Sequence, residues 1–312
     1  MSHNDHRAVL TGANGFLGSA ILTELSRSGI PTLAITRHAG AATRPGTVPG
    51  CETLHGDNFA DSSLIRRVKA WQPSVVIHCA WQGVNGRDRN QPFQIAQNLP
   101  LTLDTVELAH EAGCSQWIGF GSQAEYGTPN RIVDESAPAR PTTLYGKAKL
   151  AAGIATLGLC ESLGLSGTWL RIFSLYGPGD DQRCFVPYVI SEFLQGRAPR
   201  VTPCEQLWDY LNVADAARAA TAVLKSAAPG VFNLGSGTTV PLRHVVEEIR
   251  HIVGAAVGAE YGAIAYGPDQ VMHLQADITR LQQAVGWAPS IPLPDGLQEC
   301  VSLIRLSSGK QS

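Results

Sequence analysis

The chain has 312 residues, 44% hydrophobic and 16% charged, which supplies a large apolar core and argues against a disordered chain. Lys and Arg number 24 against 26 Asp and Glu, a net charge of −2 with no basic stripe, so nucleic-acid binding is not expected. No run of about 18 apolar residues suggests a membrane span. The polar start Met1-Ser2-His3-Asn4-Asp5-His6 and seven widely spaced cysteines predict a cytoplasmic protein with free thiols and no metal site.

In chain order, the apolar runs predict a strand at 7–11, a helix at 16–28 and a strand at 31–36. A short strand at 52–55 precedes a helix at 61–71, with Asp61 as its N-cap. A continuous apolar strand follows at 74–79, then a polar loop at 81–92 and a helix at about 93–112. Strands at 116–121 and 167–172 flank a long helix at 143–163. Continuous apolar strands separated by helices imply a parallel sheet covered on both faces, an α/β doubly wound fold. After Ile172 the rhythm changes. A loop at 177–180 leads to a helix at 186–195, a strand at 207–212 and an Ala-rich helix at 213–226. A strand at 231–234, a helix at 242–253, a strand near 262–266 and helices near 277–285 and 295–306 complete the chain. The expected division is a nucleotide-binding domain at 1–172 plus about 206–230, with a smaller mixed lobe at 173–205 and 231–312. A ligand is expected between them, at the carboxyl ends of the parallel strands.

Thr11-Gly12-Ala13-Asn14-Gly15-Phe16-Leu17-Gly18 leaves the first strand and opens the first helix. Gly12 permits a tight turn, Gly15 leaves the helix N-terminus open to a pyrophosphate, and Gly18 lets helix and sheet approach. This is dinucleotide-loop chemistry in the required strand–helix context. At the end of the second strand stands Arg37, where an acid would select NAD. A guanidinium suits a 2′-phosphate, so NADP(H) is favoured, with Arg44 as a second candidate and NAD as the alternative. Asp57, after the third strand, is placed to meet the adenine amino group.

Tyr145 and Lys149 lie one helical turn apart, on one face of the long helix. An ammonium near a phenol lowers its pKa and readies it for proton transfer. Ser122, at the end of a parallel strand, is placed to donate a hydrogen bond to a substrate carbonyl.

These segments, with IHCAW (77–81), GSQAEYG (121–127), YGKAK (145–149), RIFSLYGPGD (171–180), LWDYLNVAD (207–215), FNLGSG (232–237) and DITRLQQAVGWAPS (277–290), resemble the extended short-chain dehydrogenase/reductases of the nucleotide-sugar epimerase/dehydratase/reductase branch. The resemblance implies a Rossmann-type fold and a catalytic Ser122, Tyr145 and Lys149. It also implies cofactor contacts from Gly12, Asn14, Gly15, Phe16, Leu17, Gly18, Arg37, Asp57, Asn58, Cys79, Ala80, Trp81, Asn98, Tyr145, Lys149, Ile172 and Ser174. Asn98 matches a residue that positions the catalytic helix. His78 reads as a packed strand-end residue, not a catalyst. Relatives pair through the helices at about 93–112 and 145–163, so a homodimer is expected.

Dehydratases of this family carry an Asp-Glu pair directly after the catalytic hydroxyl residue. Gln123 and Ala124 stand there, which disfavours dehydration. The reading is an NADPH-dependent reductase of a nucleotide-linked 4-keto-6-deoxyhexose, similar to the CDP-abequose synthases. An NAD-dependent 4-epimerase, a ketoreductase of a non-nucleotide natural product and a non-catalytic NADP sensor are the alternatives. Substrate contacts are expected from Trp81, Ser122, Gln123, Tyr145, Ser174, Arg183 and Trp208, with Arg197 and Arg200 as further diphosphate candidates. Two departures bear on the substrate: Ser174 replaces the family's Asn, and Trp208 replaces an Arg.

Overall fold

The computed structural model describes residues 6–37, 48–84, 86–267 and 270–308; Arg44 lies outside them. Seven parallel strands form the main sheet: β1 (Ala8–Thr11), β2 (Thr32–Thr36), β3 (Cys51–His55), β4 (Val75–His78), β5 (Gln116–Ser122), β7 (Ser166–Ile172) and β12 (Gly230–Leu234). Their order is β12-β7-β5-β4-β1-β2-β3. The connections run outward from β1 in both directions, which opens a crevice at the carboxyl ends beside it.

Alternation along the strands builds two cores. Ala8, Leu10, Val75, Ile77 and Leu170 face one side, with α1 (Phe16–Arg27) and α7 (Val213–Ser226). Val9, Val76, Trp117 and Trp169 face the other, with α2 (Ser62–Ala70), α4 (Asn98–Glu111) and α5 (Leu144–Leu163). Asp61 caps α2 as expected, accepting the amides of Ser63 and Leu64 at 2.9 Å each. A third cluster joins α6 (Phe185–Leu194), α8 (Leu242–Val253) and α10 (Leu293–Ser308).

Several expectations need correction. Strand β12 was expected in the smaller lobe, but it pairs with β7 as the edge of the main sheet. The helix expected at 93–112 is two helices, α3 (Phe93–Ala96) and α4, broken at Gln97 (φ −120°, ψ −52°). Pro100 causes this: in an unbroken helix its ring would collide with the Ala96 carbonyl. The strand expected at 207–212 is also two, β10 (Leu207–Trp208) and β11 (Tyr210–Asn212). They pair with different sheets on either side of Asp209. The strand near 262–266 is β14 (Glu260–Tyr261), paired with β9 (Arg200–Val201). Strands β6 (Arg131–Val133), β8 (Ser174–Tyr176), β13 (Val240–Pro241) and β15 (His273–Ala276) were not foreseen. Helix α9 spans Thr279–Val285. Among the described residues, no helix is long and apolar enough to cross a membrane.

Candidate active site

The glycine loop is shaped by backbone contact. Gly12 has φ +72°, and a β-carbon there would sit 2.7 Å from the Ala80 amide nitrogen. A side chain at Gly18 would collide with the Gly12 carbonyl. That carbonyl instead accepts the Gly15 amide at 2.9 Å, which tightens the turn. Gly15 is the N-cap of α1 and brings no capping side chain, so the first-turn amides are free for an anion. A cavity of about 540 Å³ opens beside it, walled by Asn14, Ala80 and Asn98 at one end and by Arg37, Asp57 and Phe59 at the other. An uncapped helix N-terminus, a glycine-rich loop and a cavity lined by an exposed guanidinium fit a dinucleotide. Asn58 stays outside these walls: its Oδ1 accepts the Ala60 amide at 3.1 Å in a local turn.

A second cavity of about 510 Å³ shares Gly12, Gly15, Cys79 and Trp81 with the first. Phe16, Leu17, Gly18 and Ile172 line it where it meets the loop, and Ser122, Gln123, Tyr145 and Lys149 line its centre. Ser174 and Trp208 line the far wall. Thr143 caps α5 by accepting the Gly146 amide at 3.1 Å, and the preceding polar loop holds the same helix end. The Arg89 carbonyl accepts the Tyr145 amide at 2.8 Å, and Asn90 Oδ1 accepts the Leu144 amide at 3.0 Å.

Tyr145 is buried, with the Ser122 hydroxyl beside its phenol. Burial pushes the phenol above the usual range, opposed by that hydroxyl and by the Arg89 guanidinium, which lies 5.0 Å over its ring. Two cations therefore bear on the phenol: the Arg89 guanidinium, which was not foreseen, and the Lys149 amine, 6.0 Å from the centre of the Tyr145 ring. Lys149 Nζ also donates to the Phe120 carbonyl at 2.7 Å and lies 3.6 Å from the Trp81 ring centroid. Burial lowers the Lys149 pKa to about 7, with the Glu125 carboxylate opposing the shift.

A buried polar scaffold underlies these groups, and most of it was not anticipated. Glu125 closes a capping box on Ser122, accepting its amide at 2.9 Å. The same carboxylate accepts Trp169 Nε1 at 3.0 Å and pairs with Arg171 at 2.7 Å. Arg171 donates to the Tyr126 hydroxyl at 2.9 Å, which donates to Asn233 at 2.7 Å. The Glu three residues after Ser122 was the readable signal. The side-chain hydrogen bonds of Asn98 run to the loop and to α3. They clamp the Gln82 backbone (3.0 and 2.9 Å) and Gln94, and Gln94 accepts Trp81 Nε1 at 2.9 Å. This holds the indole under Lys149. His78 is buried between Thr11 (2.8 Å) and Thr102 (3.3 Å), and burial lowers its pKa to about 3, so it is neutral and structural.

On the far wall the two departures meet. Trp208 Nε1 donates to Ser174 Oγ at 2.6 Å. Asp209 beside it is a structural hub, accepting the amides of Ser236, Gly237 and Ala276 within 3.1 Å. Asp180 also lines this wall, and burial raises its pKa to about 6. Arg183 is exposed at the rim and pairs with Asp181 at 2.6 Å. Arg197 and Arg200 pair with Glu192 and Glu260 outside the cavity walls.

Comparison with known proteins places this geometry. The model of the NAD dependent epimerase/dehydratase family matches residues 8–235. The chain is 28% identical over 307 residues to a dTDP-6-deoxy-L-talose 4-dehydrogenase (NAD(P)(+)) of Kitasatospora kifunensis, covering 94% of each protein. It is 28% identical over 305 residues to a UDP-glucose 4-epimerase of Streptomyces lividans, covering 90% of this chain and 91% of the relative. The fold matches a UDP-N-acetylglucosamine 4-epimerase of Methanobrevibacter ruminantium M1 with a TM-score of 0.88 at 23% identity, over 97% of this chain and 99% of the other. The chain therefore belongs to the NAD dependent epimerase/dehydratase family, NAD(P)-dependent enzymes of the extended short-chain dehydrogenase/reductase type.

Proposed function

We propose that the protein reduces the 4-keto group of a nucleotide-linked 6-deoxy-4-ketohexose with NADPH. One observation carries the reading: a buried Tyr145 beside Ser122, lining the cavity that adjoins the one at the glycine loop. Reduction consumes a phenolic proton, and burial keeps that proton in place at neutral pH. Gln123 and the buried Ala124 follow Ser122 and offer no acid–base pair for dehydration. Arg37, exposed at the adenine end, supports NADPH over NADH. The similarity to a 4-dehydrogenase of a 6-deoxyhexose supports the same carbon.

When bound, the dihydronicotinamide supplies a hydride to the carbonyl carbon. Tyr145 gives its hydroxyl proton to the carbonyl oxygen, and Ser122 holds that oxygen by a hydrogen bond. Arg89 stabilises the phenolate left behind. Lys149 spends one of its three donors on Phe120 and offers the others to the nicotinamide ribose. A homodimer through α4 and α5 belongs to the same reading, supported by Ile154 on α5 at 68% exposure; its check is a doubled mass in light scattering.

The test is NADPH oxidation with a panel of 4-keto-6-deoxyhexoses linked to dTDP, CDP, UDP or GDP. Stoichiometric oxidation with one of them is expected. The 28% identity to a 4-epimerase keeps a second reading, with its own signature: NAD(H) retained through purification and sugar interconversion without net redox.

A further inference from the structure

The cleft has two rims of opposite chemistry. One is the far wall, where Leu175, Phe185, Trp208 and Tyr210 present apolar and aromatic surface. Asp180 stands where this wall runs into the other rim, since it bonds the Asp181 amide and Cys184, which lines both cavities. Trp208 spends its one donor on Ser174 Oγ at 2.6 Å, which leaves the single Ser174 hydroxyl proton to offer a phosphate. A diphosphate here would meet an aromatic wall.

The other rim is the loop before α3. A cavity of about 600 Å³ lies between Arg87, Asp88 and Arg89 on this loop and Arg183 and Cys184 across from it. It is continuous with the catalytic cavity, since Val84, Arg89 and Cys184 line both. Three guanidiniums meet here. Arg183 is forked on Asp181 through Nε (2.9 Å) and Nη2 (2.6 Å), with Asp88 close enough to act on it. Arg89 is braced by the Val84 carbonyl at 3.2 Å and lies 5.0 Å over the Tyr145 ring. Three arginines facing two carboxylates leave this rim positive, in a geometry suited to phosphate oxygens.

We propose that Arg87, Arg89 and Arg183 form the seat for the diphosphate of the substrate, with the sugar ring lying between Tyr145 and the aromatic wall. This deepens the reading above and rests on it. In a hexopyranose the anomeric carbon and C4 stand at opposite ends of the ring. With the carbonyl on Tyr145, the anomeric phosphate therefore lies one ring's width away, where Arg89 borders both cavities. The opposite rim then receives the C6 methyl group, which suits an apolar wall.

The experiment is calorimetric titration of the NADPH-loaded protein with dTDP, UDP, CDP and GDP. It compares the wild type, an Arg87→Ala/Arg183→Ala variant and an Arg197→Ala/Arg200→Ala variant, which removes the same charge outside the cleft. The expected result is binding of at least one nucleotide by the wild type. That affinity should fall tenfold or more in the first variant and stay within twofold in the second, with NADPH affinity unchanged throughout as the check on folding. Unchanged nucleotide affinity in the first variant, or equal losses in both, overturns the seat and leaves the nucleotide-sugar reading standing. If the wild type binds none of the four diphosphates, the nucleotide-sugar reading falls and the seat with it.

Discussion

The two halves of the cleft are built by different means. In the dinucleotide half, backbone does the work. Gly12, Gly15 and Gly18 lie where β1 turns into α1, and a β-carbon at Gly12 or Gly18 would strike backbone. In the substrate half, side chains from distant segments fix one another: Trp208 with Ser174, Arg183 with Asp181, Arg89 with Tyr145. A backbone-built site depends on its glycines, whereas a side-chain-built site is re-wired by a few substitutions.

The largest expected effect lies at the seam between the halves. Glu125→Ala removes the carboxylate that serves Ser122, Trp169 and Arg171, leaving a buried guanidinium without its partner. Breaking such a pair costs about 3–5 kcal/mol, to be read by urea denaturation. A loss below about 1 kcal/mol would show that the two halves hold without this brace.

Arg37→Ala sharpens the contrast, because Arg37 is the side-chain element of an otherwise backbone-built half. Hydrogen bonds to a charged group are worth about 1.5–3 kcal/mol, so the NADPH-over-NADH preference in kcat/KM should fall about ten- to a hundredfold. An unchanged ratio would remove the cofactor argument.

A smaller effect concerns the amine between the halves. Burial lowers Lys149 from its ordinary 10.5 to about 7. Below pH 7 both folded and unfolded chains carry the proton, and the full cost of burying it is present. From pH 7 to about 10.5 the unfolded chain binds more protons, so stability recovers as pH rises. Lys149→Met should therefore raise Tm at pH 6 by roughly 2–4 °C, with the advantage closing by pH 10, while turnover is lost. A lower Tm at pH 6 would mean that the Phe120 and Trp81 contacts outweigh the desolvation.

The same contrast explains what could be read in advance. The parallel strands, the glycine loop, the Asp61 cap, α7 and α8 follow from local periodicity and turn chemistry. The broken helix was hidden because apolar spacing continues across Gln97, and the cause is the single ring of Pro100. Strands β9 and β13 are two residues long, too short for any period. Trp208 and Ser174 were each noticed as departures, but their bond to one another depends on β11 pairing with β8. Helical spacing made Lys149 legible beside Tyr145, whereas Arg89 was not, since only the folded loop brings it over the same ring.

The central claim is that Tyr145 delivers the proton. Its direct test is single-turnover reduction of the best 4-keto substrate by the Tyr145→Phe variant, saturated with NADPH. The account predicts unchanged NADPH affinity and a hydride-transfer rate lower by about 10²–10⁴-fold, the range general acid catalysis supplies. Transfer within a fewfold of the wild-type rate would contradict it.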